Sequence, residues 1–427
     1  EYINLHHPTS PLFNRVTQSM FAPGSIFKPF TAVMGLENGK ISTNTVFPHM
    51  NEVEGNKWLP DQDTWNWVGP PITRIEKING TPDFRTALRD SDNIYFGWVA
   101  MLVGKDTFIQ YCQEKLGFEE PIPFDLPVAR SGIFDPERDP EQPEFHIRFL
   151  AESGYGQGQM YVTPIHATAI FGAFANDGDV MEPYVVESLR HSEGIEYVVD
   201  DSHTPTIWKK DVVTDDAVLA AVVAGLEETM SEGTGRSVTA PYKLAGKTGT
   251  AQAYMQDGHR RELGWLVAFK NEGEKDFLSA VVIDCREKEG GARYPIMSSL
   301  FDYQDNLSKR TGMNAEALPV GEIPNYQEGE GAETDLETEG QTSGESPVTA
   351  TGEGNSTGGS QNSQNSQGSL DPEQQDWSEP PAGMASEGVP DEDDGLPEGL
   401  AEETGDSLEA AGLSLIHISE PTRRRGN

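Results

Sequence analysis

Three short clusters hold the residues able to do chemistry. In Pro23-Gly24-Ser25-Ile26-Phe27-Lys28-Pro29 a turn runs into a helix and sets a hydroxyl, Ser25, and an amine, Lys28, at i and i+3, on one helical face. A serine hydroxyl is inert until a base takes its proton, and a neutral amine within hydrogen-bond reach is such a base. Ser91-Asp92-Asn93 adds a second hydroxyl and an amide, and Lys247-Thr248-Gly249-Thr250 adds a second cation and two more hydroxyls. A Ser-x-x-Lys pair arises about once or twice by chance in a chain this long and is usually a solvated helix surface. Ser25 heads the only one here, so the weight rests on the order of all three clusters.

The surrounding elements must bring those clusters together. With Ile26 as the first fully helical residue, Pro29 falls among the first four positions, whose N–H groups have no partner in any case. That helix runs to Asn38-Gly39, a C-cap, on the apolar anchors Phe30, Val33, Met34 and Leu36. Thr43 to Pro82 reads as loops and short hairpins, in which Trp58, Trp65 and Trp67 either line a groove or, as is commoner, pack a loop-rich lobe. A short helix over Asp83–Arg89 and an apolar one over Ile94–Val103 flank the polar triplet, which reads as a loop. Gly154-Tyr155-Gly156-Gln157-Gly158 precedes a helix start at Val162-Thr163-Pro164; no strand leads into it, so backbone packing is preferred to a phosphate cradle. Tyr184 to Val199 is strand-like, and Thr214, Asp215 and Asp216 cap a long helix that closes at Gly233-Thr234-Gly235. Lys243–Met255, Gly264–Phe269 and Phe277–Asp284 read as three antiparallel strands. Alternation on the first puts Lys247 and Gly249 on one face, Thr248 and Thr250 on the other.

Charge divides the chain. The 427 residues carry 31 Lys and Arg against 70 Asp and Glu, a net charge of −39. Between Arg310 and Arg423 there is no Lys or Arg, while about two dozen acids crowd in with Gly, Ser, Pro and Gln. So 311–412 is expected to be an acidic, disordered tail, unable to bury enough apolar surface to offset its entropy. Residues 1–310 have globular composition and length enough for one sizeable core. An acidic chain without a basic stripe is a poor nucleic-acid binder. Cys112 and Cys285 lack metal or redox spacing and read as buried free thiols, and the nine histidines offer no metal-ligand pair, so neither metal nor cofactor is expected. The abrupt start at Glu1-Tyr2-Ile3 leads us to expect a missing N-terminal portion. Leu413-Ser414-Leu415-Ile416-His417-Ile418 and the residues up to 427 look like the translation of a library-preparation adapter.

Ser25-x-x-Lys28, Ser91-Asp92-Asn93 and Lys247-Thr248-Gly249, in that order, form the signature of penicillin-binding proteins and class A β-lactamases. The resemblance is wider. Asn14-Arg15 leading into Pro23-Gly24-Ser25, Asp92-Asn93-Ile94-Tyr95-Phe96, Ile122-Pro123-Phe124-Asp125-Leu126-Pro127, Ser153 to Gly158 and Gly264-Trp265-Leu266 make roughly 10–305 similar to the transpeptidase domain of class B penicillin-binding proteins. The low-affinity, resistance-associated branch is the nearest in pattern. The resemblance implies an α+β fold of α/β type, the serine β-lactamase/transpeptidase-like fold: an antiparallel sheet flanked by helices, with an inserted, mostly helical lobe. It implies that Ser25 attacks D-Ala-D-Ala stem peptides and is acylated by β-lactams, that Lys28 takes the proton, and that Ser91 relays it to the leaving group. Asn93 would hold Lys28 and the substrate amide, and Lys247 and Thr248, followed by Gly249, the terminal carboxylate. Backbone N–H groups of Ser25 and Thr250 would form the oxyanion hole. It implies further cell-wall synthesis proteins as partners, and a place on the outer face of the bacterial membrane through an anchor absent from this chain.

Rivals fail on residues. Gly246-Lys247-Thr248 resembles the end of a P-loop, but the first glycine of that motif falls on Pro241. The one Gly-x-Ser-x-Gly, Gly354-Asn355-Ser356-Thr357-Gly358, falls in the acidic, glycine- and serine-rich stretch, where no strand-to-helix turn is expected. A β-lactamase needs a group to activate the deacylating water, and no glutamate in the class A local pattern lies between Ser91 and Lys247. A non-catalytic penicillin sensor or wall-binding module, with the same pocket frozen, stays open at this point.

Overall fold

The computed structural model describes residues 13–75, 78, 80–134, 144–193, 196–254, 260–273, 277–286, 290–311 and 413–418. The first cluster does not begin as an α-helix. Gly24–Phe27 is a 3₁₀ turn in which Lys28 N–H donates to the Ser25 carbonyl, and helix α1, Lys28–Glu37, starts there. Proline explains it: an α-helical bond to Ser25 O would have to come from Pro29, which has no N–H, so the i+3 bond from Lys28 takes that carbonyl instead. Helix α1 is buried over most of its length and ends at Asn38, with Gly39 at φ +63°.

Helix α2, Phe84–Arg89, is capped by Asp83, and α3, Asn93–Val103, by Asp92, whose carboxylate accepts from Ile94 N–H at 2.9 Å. The polar triplet is therefore a loop only at Ser91 and Asp92, and Asn93 is already helical. Ser91 sits at φ +60°, a left-handed conformation that turns the chain sharply between the two helices. Helix α3 is buried on nearly every side and packs against α1 and against α4, Ile147–Gly154. Ahead of α2 lies a small antiparallel sheet, Val53–Glu54, Lys57–Trp58 and Ile72–Thr73. Trp58 is fully buried there edge-on to Phe47 and Trp67 is nearly so, which makes both packing residues.

Helix α5, Pro164–Phe171, follows the glycine cluster, and α6, Asp216–Ser231, is capped by Asp215. The strands come next: β1, Leu244–Tyr254, β2, Arg260–Lys270, and β3, Leu278–Arg286, paired antiparallel in that spatial order as expected. Helix α7, Arg293–Thr311, follows, and β4, Leu413–Ile418, pairs antiparallel with the outer edge of β3. Side chains alternate across the sheet. Leu263, Trp265, Val267 and Phe269 face the large core shared with α1 and α3, while Leu266 and Ala268 face the smaller one with Met297 and Phe301 of α7. The sheet is thus covered on both faces, and among the described residues β1 forms its free edge. The acidic stretch 312–412 and the residues after Ile418 lie outside the described residues. Cys112 is a buried free thiol and Cys285 a half-buried one.

Candidate active site

The turn carrying Ser25 is clamped between two backbones. Gly24 N–H donates to the Gly156 carbonyl at 2.7 Å, and a Cβ on Gly156, at φ +75°, would overlap Gly24 O. A Cβ on Gly24 would in turn meet the Thr250 carbonyl at 3.0 Å, and one on Gly249 would meet Trp265 and Ile26. The close approach of these glycines is what lets the Ser25 turn, the glycine cluster and β1 share one place. That is backbone packing, and no phosphate is needed to account for it.

Three clusters distant in sequence meet there. Lys28 Nζ donates to Ser91 O at 2.6 Å, Ser91 Oγ at 3.0 Å and Asn93 Oδ1 at 2.7 Å. Lys247 Nζ reaches the same Ser91 Oγ at 2.8 Å and the Thr248 carbonyl at 3.1 Å. Ser91 Oγ is therefore held between two amines. The Lys28 amine spends its hydrogen bonds on Ser91 and Asn93 rather than on Ser25 Oγ, although both residues are buried on the same turn. Catalytic contacts of this kind often close only when substrate is bound.

Two buried amines cannot both keep a proton cheaply. Burial and then the Lys247 cation push the Lys28 amine well below an ordinary lysine, against a smaller opposing pull from Asp92. Burial and then the Arg293 guanidinium bring Lys247 to about 7. When Lys28 is neutral its lone pair can accept the Ser91 proton, while Ser91 Oγ accepts from Lys247.

Behind this cluster lie two residues that no local signal marked, Arg74 and Thr234. Arg74 and Asp92, both buried, form a bidentate ion pair at 2.8 Å on each arm, which fixes the carboxylate that caps α3 and so places Asn93. Asn93 Nδ2 donates to the Thr73 carbonyl, leaving Oδ1 turned to Lys28. Thr234 Oγ1 lies 2.5 Å from Thr248 Oγ1. Sequence reading gave the Gly233-Thr234-Gly235 run only the task of ending a helix.

A groove of about 460 Å³ opens over the cluster, bordered by Ser25, Ser91, Thr234, Thr248, Thr250 and Arg293 among others. Thr248 and Thr250 face it and Lys247 does not, as strand alternation requires. The acid on its wall is Asp90, whose two oxygens are both taken by Arg89 at 2.8 Å. No cluster of ligands for a metal ion is found among the described residues.

Residues 2–302 match the family model described as the penicillin binding protein transpeptidase domain. The chain belongs to this family. Among curated relatives of the transpeptidase domain, penicillin-binding protein 3 of Bacillus subtilis is 31% identical over 70% of this chain and 41% of its own length. The peptidoglycan D,D-transpeptidase MrdA of Escherichia coli is 29% identical over 58% and 38% respectively. The chain thus spans about two fifths of the relatives it matches. PBPA of Mycobacterium tuberculosis shares the fold at a TM-score of 0.56 and 22% identity, over 69% of this chain and 64% of that one. The D,D-transpeptidase domain of a peptidoglycan glycosyltransferase from Eggerthella lenta does so at 0.55 and 23%, over 70% and 68%. These likenesses fix the α+β transpeptidase fold. No described helix of the domain is long and apolar enough to cross a membrane.

Proposed function

We propose that the domain is a serine D,D-transpeptidase that cross-links peptidoglycan through an acyl-enzyme on Ser25 and is acylated there by β-lactams. The observation that carries this reading is Ser91 Oγ held between the amines of Lys28 and Lys247 at 3.0 and 2.8 Å. Neutral Lys28 takes the Ser25 proton as Oγ bonds to the scissile carbonyl carbon. As the C–N bond of the terminal D-Ala breaks, Ser91 gives its proton to the departing amine and recovers one from Lys28. An incoming stem-peptide amine runs the steps in reverse and leaves the cross-link. Ser25 and Thr250 N–H groups stabilise the oxyanion, each donor contributing about 3 kcal/mol. Because β1 is the free edge of the sheet, an extended donor peptide can add to it as a further strand.

A β-lactamase is disfavoured because the acid on the groove wall, Asp90, is tied to Arg89 and not free to activate water. A non-catalytic sensor would not require two low-pKa amines around one hydroxyl. We further assign the chain to the low-affinity, resistance-associated branch, on its sequence pattern and on a Ser25 only 5% exposed. Its place is the outer face of the cell membrane among other wall-synthesis proteins, and the acidic residues 311–412 take no part in the chemistry.

Intact mass after treatment with benzylpenicillin tests the reading. The native protein is expected to gain one drug mass slowly and Ser25→Ala none; labelling of Ser25→Ala, or no labelling of the native protein, overturns it. Labelling without cross-linking of stem peptides would favour the sensor, and rapid release of the drug mass the β-lactamase.

A further inference from the structure

The groove holds a cation that this reading leaves without a task. Arg293, the first residue of α7, is 7% exposed, yet it borders the groove with Thr234, Thr248 and Thr250. Its Nη1 donates to the Gly290 carbonyl at 2.6 Å and its Nη2 to the Tyr294 hydroxyl at 3.1 Å, while Nε, also buried, has no partner. Among the described residues no carboxylate forms an ion pair with it; Glu262 approaches Gly290 from β2 without pairing with the guanidinium.

The space for this side chain is built in. A Cβ on Gly264 would lie 2.7 Å from Arg293 Nη1, and one on Gly290 would overlap the same nitrogen. Gly264 is the register partner of Thr250 across β1 and β2, and cross-strand partners project to the same face. The guanidinium therefore occupies the groove side of the sheet, beside the Thr250 hydroxyl. A buried charge with no counter-charge among the described residues is costly, and in the wall of a binding groove the missing anion is one that a ligand brings.

Lys247 is poorly placed for that task. Its amine is committed to Ser91 Oγ and the Thr248 carbonyl, and it does not border the groove. We propose that Arg293, together with the Thr248 and Thr250 hydroxyls, recognises the carboxylate of the acylating ligand, so that the specificity for a terminal acid resides in α7 rather than in Lys247. The ligand class is a peptide ending in a free α-carboxylate, or a bicyclic lactam carrying the equivalent acid. The proposal rests on the acyl-enzyme reading above.

Acylation of Ser25 by benzylpenicillin and by its methyl ester, followed by intact mass on the full chain, separates the charge from everything else in the site. The native protein should prefer the acid. Arg293→Gln should slow reaction with the acid about 10- to 100-fold, as expected for loss of a charge-assisted pair, and slow the ester far less. Arg293→Lys, which restores the charge without the planar fork, should recover part of the preference for the acid; where the glutamine variant does not fold, this variant alone is compared with the native protein. Equal slowing of acid and ester, or an unchanged rate with the acid, overturns the proposal. Failure of the underlying reading looks different: the native protein would then take up neither compound at Ser25.

Discussion

At the scale of single residues the site is a problem in placing protons. Lys28 can act as a base only after losing its own proton, and burial first and the Lys247 cation second both favour the neutral form. Replacing Lys247 by Met removes one of those two influences, so the Lys28 pKa must rise and the acid limb of the acylation pH profile must move to higher pH. Measuring the rate of penicillin uptake from pH 5 to 9 in both proteins checks this; an unmoved limb would show that the two amines do not interact. The sequence made the Ser25, Lys28, Ser91, Asn93, Lys247 and Thr248 set legible because motif order and residue type carry its chemistry. The Lys28–Asn93 contact is expected, but the sequence could not show that Lys28 turns to Ser91 rather than to Ser25, because that depends on where α3 begins, and α3 begins where Arg74 anchors Asp92. Arg74, Thr234 and Arg293 escaped because their roles come from contacts across the fold. Nothing adjacent to them in the chain announces a partner.

At the scale of elements, the helices and strands read from hydrophobic periodicity lie within a residue or two at most ends, although β2 starts four residues early and α4 and α7 have no counterpart in that reading. Two other departures have local causes. A proline converts the first turn at Ser25 to 3₁₀, and an aspartate cap draws Asn93 into a helix where a loop is expected. The contact that decides the position of Ser25 is made by a glycine more than a hundred residues away. Because Gly156 has φ +75° and its missing Cβ leaves room for Gly24 O, Gly156→Ala forces the two turns apart. We expect at least a tenfold loss of Ser25 acylation and a stability cost of about 1–3 kcal/mol. Penicillin uptake and thermal melting measured together check both, and a variant that acylates normally would mean the turn is held by β1 alone.

At the scale of the whole molecule, charge and chemistry are separated along the chain. Every residue of the site lies at or before Arg293, and beyond Thr311 the only described element is β4, which pairs with β3 from Leu278 to Ile283. Composition alone located the acidic stretch, but no periodicity could reveal that six residues after it would pair with a strand well over a hundred positions earlier, since edge pairing depends on which backbone is left open. Ending the chain after Thr311 exposes that edge, with Leu278, Ala280 and Val282 on one face and Val281 and Ile283 on the other, and removes about two dozen negative charges that oppose association. Because the edge is on the far side of the sheet from β1, acylation of Ser25 should stay within about twofold of the full chain. Self-association seen by light scattering should rise sharply over the same concentrations. A shortened chain that stays monodisperse would mean that β3 needs no cover from β4, whereas one that loses acylation would mean that strain at the open edge reaches Ser25 through β2 and β1.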